Sequence, residues 1–426
     1  MPRDEPLVTS RTSRPLRIVA GIRQFVPAVG GAQTLLIDIL AALRARGHHT
    51  SVVTFDGASI PDLRGRGSGL PPAEWIDGVT VHRVAPDGGP VGRLLTALAR
   101  HPMGGRLVRH VAGIDVPYWG ERPSIVGMSA TLMRIPADVF ISVGWFSRHV
   151  PLMHLTAALR RLPVVGVPCF HLAQRSAYWP RHRRLVRSAA AVVCLTEPES
   201  THARALGARV VRCIPPSLPA GFADHADGVA WRGHHGIAPD VPIVAFVGRQ
   251  VEKKGAVHLL RSMRQVWHTH PHVRLLLAGR LRNRDDAMRA AIAALSVTER
   301  ARILEIDDFT DDDLPSLMAA STMLAVPSPD ESFGIVYIEA WACARPIIAA
   351  SIPSSQWLAA DGENALLVTP GDDEALAIAI RRLLDDPVLA TALGRRGQSL
   401  VAERFRTSAF AAQWIDVVEQ TVRGAS

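Results

Sequence analysis

The sequence predicts an α/β protein built from two doubly wound domains that face a cleft. Short apolar runs alternate with amphipathic stretches through the first half of the chain, and the second half repeats that plan. A stretch with several prolines and glycines and little periodicity separates the halves. With 426 residues, 48% of them hydrophobic, the chain is long enough for two such cores.

In the first half, six apolar runs have the length of strands, and helical patterns separate several of them. Because many runs are nearly continuous in apolar residues, they are typical of a parallel sheet covered on both faces. The predicted strands are residues 17–21, 49–55, 79–84, 138–143, 163–167 and 191–196. The predicted helices are residues 32–46, 147–161 and 199–206.

The second half gives a second set of strands with helices between them. These predicted strands are residues 242–247, 273–278, 303–305, 322–326, 346–349 and 365–368. The predicted organisation is a disordered tail (1–14), an N-terminal domain (15–215), a linker (216–240), a C-terminal domain (241–406) and a final segment (407–426). Ligands in such folds bind at the carboxyl ends of the strands, so we expect the site in the cleft.

The positive charge is concentrated in the first half of the chain. Residues 1–215 carry 27 Arg and no Lys against 13 Asp and Glu. The arginine runs at residues 93–109 and 175–187 are typical either of solvated helix faces or of peripheral contact with an anionic membrane. The sequence contains no nucleic-acid recognition motif and no cluster of aromatic and basic residues, so nucleic-acid binding is not expected.

Location is predicted from what the chain lacks in apolar runs. The chain contains no run of eighteen apolar residues, so no membrane-spanning helix is predicted. Residues 1–14 lack the apolar core that is typical of a signal peptide. The four cysteines have no zinc-ligand spacing and fit buried thiols in a reducing compartment. We therefore expect a cytoplasmic protein, with peripheral association on the inner face of the membrane left open.

Residues 327–342 hold two carboxylates eight positions apart. Phe333-Gly334 can start a helix whose free N–H groups and positive dipole end face an anion. Glu331 would approach the face of that helix on which Glu339 lies. The pattern is typical of a sugar diphosphate site, although two glutamates flanking an apolar helix also occur as solvated or structural positions.

This segment resembles the E-x7-E signature of the family 4 retaining glycosyltransferases, and residues 344–349 resemble the G-x-P-V-V-A stretch that follows it. The resemblance implies the GT-B architecture of two Rossmann-like domains, an N-terminal acceptor-binding domain and a C-terminal nucleotide-sugar-binding domain. It further implies that residues 407–426 form a C-terminal helix that crosses back to the N-terminal domain. It also implies that Glu339 binds the ribose and Glu331 the donor sugar, while Ser332, Phe333, Gly334 and Ile335 lie against the donor.

Residues 247–255 end a predicted strand and open a helix. Arg249 offers a rigid fork and a lysine a mobile point charge, a pair suited to gripping a diphosphate. Lys253 and Lys254 are the chain's two lysines, among 48 Lys and Arg residues. The stretch resembles the family's G-R-x-x-x-K-G element, which assigns the phosphate contact to Lys254.

Two elements of the first half belong to the same predicted site. Gly30 and Gly31 follow the first strand and let the backbone approach a ligand closely, as in the family's P-x-x-G-G loop, with Gln33 where glutamate is common. His171 follows a predicted strand end and resembles a family histidine that lies near the donor sugar and the acceptor. His48 and His49 are interpreted as structural.

Two further clusters are interpreted without a ligand. His268, His270 and His272 lie at a helix-to-strand turn and are expected to be solvent-exposed. Of the aspartates at 307, 308 and 311–313, the last three precede a helix, which favours capping over metal binding. No metal site is expected.

The resemblance implies a retaining, metal-independent glycosyltransferase that moves a sugar from a nucleotide-diphosphate donor, UDP-linked first and GDP-linked next, to a hydroxyl-bearing acceptor. The expected catalytic residues are His171, Glu331, Arg249 and Lys254, and no cofactor is expected beyond the nucleotide-sugar co-substrate. The acceptor can be a small molecule, a glycan or a lipid-linked group, chosen by residues 57–137. A sugar-nucleotide epimerase and a non-catalytic nucleotide-sugar-binding subunit are the alternatives. Ala344, Asp307 and residues 351–356 depart from the family pattern and leave the donor open.

Overall fold

The computed structural model describes residues 14–57, 62–63, 67–85, 125–145, 147, 149–173, 179–307, 309–310 and 312–425. The tail 1–13, the arginine run 93–109, the first residues of the run 175–187, and Asp308 and Asp311 lie outside the described residues. Most of segment 57–137, expected to choose the acceptor, also lies outside them. Within the described residues the chain forms two sheets, each flanked by helices, which confirms the predicted fold class.

The first sheet is parallel except for its edge strand β3, and its order is β3-β4-β2-β1-β5-β6-β7-β8. Its strands are β1 (Arg17–Gly21), β2 (His49–Phe55), β3 (Ala73–Ile76), β4 (Val79–Val84), β5 (Val139–Val143), β6 (Val164–Val167), β7 (Ala191–Cys194) and β8 (Val211–Cys213). The helices are α1 (Gly31–Ala45), α2 (Ile125–Arg134), α3 (His149–Arg160), α4 (Trp179–Ser188) and α5 (Glu197–Ala205). The strands other than β3 and β8 are largely buried, because helices cover the sheet.

The second sheet is parallel throughout, with the order β11-β10-β9-β12-β13-β14. Its strands are β9 (Ile243–Val247), β10 (Arg274–Ala278), β11 (Ile303–Ile306), β12 (Met323–Val326), β13 (Ile347–Ala350) and β14 (Ala365–Val368). The helices after β9 are α7 (Ala256–Thr269), α8 (Asp286–Ala293), α9 (Val297–Arg300), α10 (Leu314–Ala320), α11 (Ile335–Ala342), α12 (Pro353–Leu358), α13 (Asp373–Asp385), α14 (Pro387–Arg404) and α15 (Thr407–Arg423).

The stretch expected to be an irregular linker contains a helix, α6 (Gly228–His234). The Asp227 carboxylate caps it by accepting a hydrogen bond from Ala230 N at 2.8 Å. Arg232 fixes it to the second sheet's helices by donating to Ala320 O at 2.9 Å. The Asp227 cap stabilises the helix although its apolar periodicity is weak. Because Arg232 binds Ala320 O, α6 belongs to the C-terminal domain.

The chain passes between the domains twice, and the two passages are bonded to each other. Leu218 N donates to Phe405 O at 3.1 Å, and Thr407 Oγ1 donates to Leu218 O at 2.5 Å. Helix α15 then packs against α1 of the N-terminal domain. Its buried Glu419 lies 3.3 Å from Arg46 Nε and 3.5 Å from His48 Nε2, which ties the last helix to the first domain.

The strand order places the cleft. Strand β1 lies between β2 and β5, and β9 lies between β10 and β12, so the chain order reverses at these positions in each sheet. Crevices form outside the carboxyl ends of the strands at such switch points. No helix in the described part of the chain is long and apolar enough to cross a membrane.

Candidate active site

The C-terminal domain contributes the turn between β12 and α11. Helix α11 begins after Gly334, whose φ of 90° lies in the left-handed region that favours glycine. A Cβ at Gly334 would lie 2.4 Å from the Tyr337 ring, so a side chain there requires the ring to move. The turn therefore aims the first amides of α11, including that of Ile335, at the cleft.

Lys254 contacts this turn from the short 3-10 helix that follows β9, the strand next to β12. Its Nζ lies 2.5 Å from Glu331 Oε1, and the two side chains are only 20% and 12% exposed. Ser354 Oγ holds the main chain of the glutamate by donating to Glu331 O at 2.9 Å. Lys253 is exposed, whereas Lys254 is partly buried against Glu331, so the two lysines occupy different environments.

Arg249 follows β9, at the point where the loops after β9 and β10 lie in contact. Gly279 has a φ of 143°, and a Cβ there would lie 2.1 Å from Gly248 O, so the loops after β9 and β10 touch through glycine. The Arg249 side chain is exposed and makes no ion pair with the described residues. It is a cation at the carboxyl end of β9, available to an anionic ligand.

Gln250, which the sequence did not single out, supports this loop from below. Its buried side chain donates to Gly279 O at 3.1 Å and accepts from Arg284 Nε at 2.7 Å. A single glutamine carries no pattern, so only the structure could identify it.

Glu331 and Glu339 lie in different environments. Glu331 precedes α11 and binds Lys254, whereas Glu339 lies in the second turn of the helix and is half-buried. The two carboxylates are therefore suited to two different parts of a ligand.

The N-terminal domain contributes the glycine loop after β1. A Cβ built on Gly31 would lie 3.7 Å from Ile335 Cδ1, so this loop lies against the start of α11. Arg280 also crosses between the domains, and its Nη1 donates to Pro27 O at 3.2 Å. Gln33 turns back into its own domain and donates to Gln24 O at 3.0 Å.

His171 lies on the other side of the cleft, after β6. Its Nδ1 lies 2.9 Å from Oδ2 of Asp330, the residue that precedes Glu331. The imidazole is 29% exposed and the carboxylate 10%, so the contact is largely shielded from water. Asp330 was not among the residues predicted from sequence, although its position next to Glu331 was a usable signal.

The structure thus brings together most of the residues that the sequence proposed. Around one cleft it gathers Gly30, Gly31, His171, Lys254, Glu331, Ser332, Phe333, Gly334 and Ile335. The side chain of Phe333 does not face the cleft, because its ring is buried against Trp357 and Phe405. Only its backbone can contact a ligand. Arg249 and Glu339 lie on the loop and the helix that border the same space.

Glu199 is a buried carboxyl behind the His171 loop. Its Oε2 accepts a hydrogen bond from Leu195 N at 2.9 Å. Burial raises the pKa of Glu199 to about 8, although the backbone N–H groups of Leu195 and Phe170 oppose that shift. The side chain is thus a support for residues 195 and 170 rather than a charged ligand group.

Two expectations need correction. His270 is not a free surface histidine, because its Nε2 lies 3.0 Å from Asp385 Oδ1, while His268 and His272 are exposed as expected. Asp313 does not cap α10 with its side chain. Its carboxylate instead accepts from Thr310 N at 3.0 Å, which closes the turn before the helix.

The described residues hold no group of three His, Cys, Asp or Glu side chains that could bind a metal ion. Asp307 is engaged elsewhere, accepting from Leu281 N at 2.6 Å.

Two family models match the chain, one for each domain. Residues 30–217 match the model described as a glycosyl transferase 4-like domain. Residues 229–400 match the model described as glycosyl transferases group 1. The first match begins at the glycine loop, and the second contains Arg249, Lys254 and both glutamates.

Curated relatives are similar to the chain over most of its length or over about half of it. A D-inositol 3-phosphate glycosyltransferase of Segniliparus rotundus is 28% identical over 86% of this chain and 80% of its own. The lipopolysaccharide core biosynthesis glycosyltransferase LpsE of Rhizobium meliloti is 32% identical over 42% of this chain and 50% of its own.

Solved structures share the fold. Sucrose-phosphate synthase from Thermosynechococcus elongatus has a TM-score of 0.74 at 22% identity, covering 96% of this chain and all of that one. Anabaena HepE in complex with UDP-glucose has a TM-score of 0.71 at 20% identity, covering 95% of this chain and all of its own. The two domain matches, the full-length relatives and the two-sheet architecture together show that the chain belongs to the family 4 glycosyltransferases, with the GT-B fold.

Proposed function

We propose that the protein transfers a sugar from a UDP-linked donor to a hydroxyl-bearing acceptor, with retention at the anomeric carbon and without a metal ion. The observation that carries the proposal is the convergence of Lys254, Glu331, the start of α11 and the Gly31 loop on one cleft between the domains. These are the groups that a nucleoside diphosphate requires, namely a cation, free amides and a backbone without side chains.

The donor's diphosphate lies between the first amides of α11 and the side chains of Lys254 and Arg249. As the bond from the sugar carbon to the phosphate oxygen breaks, negative charge develops on the diphosphate, and these fixed donors stabilise it. Glu339 binds the ribose hydroxyls, and Glu331 binds hydroxyls of the transferred sugar. Solved structures of the same fold are described with UDP-glucose and with UDP, which supports UDP ahead of GDP.

The reaction replaces one C–O bond at the anomeric carbon by another and transfers one proton. The acceptor oxygen attacks the anomeric carbon on the side from which the diphosphate leaves, so the configuration is retained. The hydroxyl proton passes to the departing diphosphate, whose basicity rises as its charge develops. Neither glutamate needs to act as a nucleophile in this reaction, and the Glu331 carboxylate is paired with Lys254 at 2.5 Å.

The acceptor is proposed from the relatives. Several are D-inositol 3-phosphate glycosyltransferases, which makes a phosphorylated cyclitol the first acceptor to test. Others act in lipopolysaccharide core biosynthesis, which makes a glycan or lipid-linked sugar the second.

We also propose that the protein works in the cytoplasm and contacts the membrane surface peripherally, where a lipid-linked acceptor would lie. Helix α4 presents Arg183, Arg184 and Arg187 to solvent, without an ion pair among the described residues. Sedimentation with vesicles of anionic lipid tests it. Binding lost on replacing these three arginines by glutamine supports the contact, and equal binding to neutral vesicles contradicts it.

The donor site is tested by a thermal-shift panel of UDP, GDP, ADP and NAD. At about 100 times its dissociation constant a ligand adds roughly 2.7 kcal/mol to the free energy of unfolding, which raises Tm by a few degrees. We expect a shift with UDP that Glu339→Ala abolishes and that the surface control Glu374→Ala on α13 retains. A shift with NAD alone contradicts the proposal.

Two outcomes of turnover assays would favour the alternatives. Conversion of the sugar nucleotide without any acceptor would indicate an epimerase. Donor binding without hydrolysis or transfer would indicate a non-catalytic binding subunit. EDTA is expected to leave the transfer rate unchanged, and a loss restored by Mg²⁺ would contradict metal independence.

A further inference from the structure

The contact between His171 and Asp330 joins the two domains at the centre of the site. His171 follows β6 of the first sheet, and Asp330 follows β12 of the second. Their side chains meet at 2.9 Å in a place where both are largely shielded from water. A close pair of this kind, adjacent to Glu331, is not required to hold either domain together.

The main chain of Asp330 is held by its own domain, while the Oδ1 atom of its carboxylate is buried without a hydrogen bond to any described residue. Ser328 is fully buried, and its hydroxyl lies 3.2 Å from Asp330 O and 3.3 Å from Lys253 O. The same turn packs against Gly255, where a Cβ would lie 2.5 Å from Pro327 O. Asp330 is therefore fixed relative to Lys254 and the diphosphate site.

The histidine is held by the other domain. The preceding residue, Phe170, is buried, and its ring lies edge-on to His202 at 5.0 Å and tilted against His182 at 5.4 Å. Cys169 has a φ of 51°, in the left-handed region, so the chain turns sharply before His171. The backbone position of the histidine is thus set, while its ring direction depends on what it binds.

We propose that Asp330 is a positioning residue that orients His171 across the cleft and couples domain closure to catalysis. This inference rests on the proposed transferase function. The two atoms lie 2.9 Å apart but are not aligned as a hydrogen bond in this structure, so the imidazole must turn for Nδ1–H to donate to Oδ2. In that orientation the carboxylate favours the tautomer with its proton on Nδ1. Nε2 is left as an acceptor, able to bind a hydroxyl of the donor sugar or of the acceptor.

His171 and Asp330 belong to different domains, so their contact also depends on how the two domains are arranged. The two side chains meet only when the domains lie as close together as they do here. His171 is then oriented only when the site is shielded from water, which favours transfer to the acceptor over hydrolysis of the donor.

The test compares Asp330→Ala, Asp330→Asn, His171→Ala and the double variant Asp330→Ala/His171→Ala. Asp373→Ala is a matched control, because Asp373 forms a similar partly buried pair with His258 (2.5 Å) between α7 and α13, both within the C-terminal domain. Steady-state transfer, donor hydrolysis and UDP affinity are measured for each.

We expect Asp330→Ala to lower kcat about 10- to 100-fold, the size of a lost charge-assisted hydrogen bond, with UDP affinity unchanged. The ratio of transfer to hydrolysis should fall, and the double variant should be no worse than His171→Ala. Asp330→Asn keeps the shape and one acceptor oxygen, so it should lose less. Multiplicative effects in the double variant, or a loss matched by Asp373→Ala, overturn the proposal.

A second measurement does not depend on turnover. Nitrogen NMR of histidine-labelled protein with UDP bound is expected to show His171 as the Nδ1–H tautomer in the wild type, and not in Asp330→Ala. The same Nε2–H tautomer in both proteins would overturn the role of Asp330 even if the protein proves inactive. Absence of transfer by the wild type with every donor would instead contradict the proposed function.

Discussion

Replacing Lys254 with methionine removes a positive charge from the cleft while keeping most of the aliphatic stem. The chain provides its own control, because Lys253 is adjacent, chemically identical and exposed. Lys253→Met removes the same charge from the same short 3-10 helix, Glu252–Lys254, without touching Glu331. The two variants therefore separate a contact at the site from a change in overall charge.

The magnitude follows from the contacts. A hydrogen bond to a charged group contributes roughly 1.5–3 kcal/mol, and about 1.4 kcal/mol corresponds to a tenfold change in rate. Lys254→Met should lower kcat/KM about 10- to 100-fold. It also leaves the Glu331 carboxylate, only 12% exposed, without its cation, so a small fall in Tm is expected as well. Lys253→Met should change kcat/KM by less than about twofold, as expected for an exposed charge.

The assay measures initial rates of UDP release from a UDP-sugar with acceptor present, together with UDP affinity. Binding of UDP should weaken in Lys254→Met and stay constant in Lys253→Met. If the Lys253 variant loses as much activity as the Lys254 variant, the assignment of the phosphate contact to Lys254 is refuted. Equal activity of both variants and the wild type would refute a role for either lysine.

Three further predictions concern stability and geometry. Gly334→Ala should lower UDP affinity and Tm together, since φ is 90° and the new Cβ meets the Tyr337 ring; wild-type affinity on titration would contradict this. Glu419→Ala should lower Tm by several degrees and increase proteolysis after residue 406, because it removes the buried carboxylate that ties α15 to the first domain; an unchanged digestion pattern would speak against it. Burial lowers the pKa of His149 and of His154 to about 4, so the unfolded state binds more protons between pH 6.5 and 4. The free energy of unfolding should therefore fall as pH decreases through that window, by on the order of 3 kcal/mol per histidine, and His154→Gln should flatten the slope in chemical unfolding.

The regular elements could be predicted where their pattern is strong. The strands at 17–21, 49–55 and 79–84 begin and end as predicted, because buried sheets need continuous apolar runs. Most other predicted ends differ by about one or two residues, where caps decide.

The missed elements are those whose stability comes from elsewhere. Strand β3 is largely exposed and pairs antiparallel at an edge, so it has no apolar pattern. Helix α6 depends on the Asp227 cap and on packing against α10, not on its own periodicity.

The site divides in the same way. Glu331, Lys254 and the glycine loop were found because each lies in a local motif with a stated chemistry. The contacts of His171 with Asp330 and of Arg280 with Pro27 depend on how the two domains face each other. No local pattern encodes that arrangement, so those contacts could not be predicted from sequence.

The central claim is that this cleft transfers a sugar with retention, and the most direct test follows one reaction by proton NMR. The protein is incubated with UDP-glucose and an inositol phosphate, and the anomeric signals are recorded with time. We predict loss of the α-linked donor, release of UDP and appearance of an α-linked glycoside, all absent with Lys254→Met at equal enzyme concentration. A β-linked product would contradict retention, and no product across UDP- and GDP-linked donors and glycan acceptors would contradict the proposed transferase site.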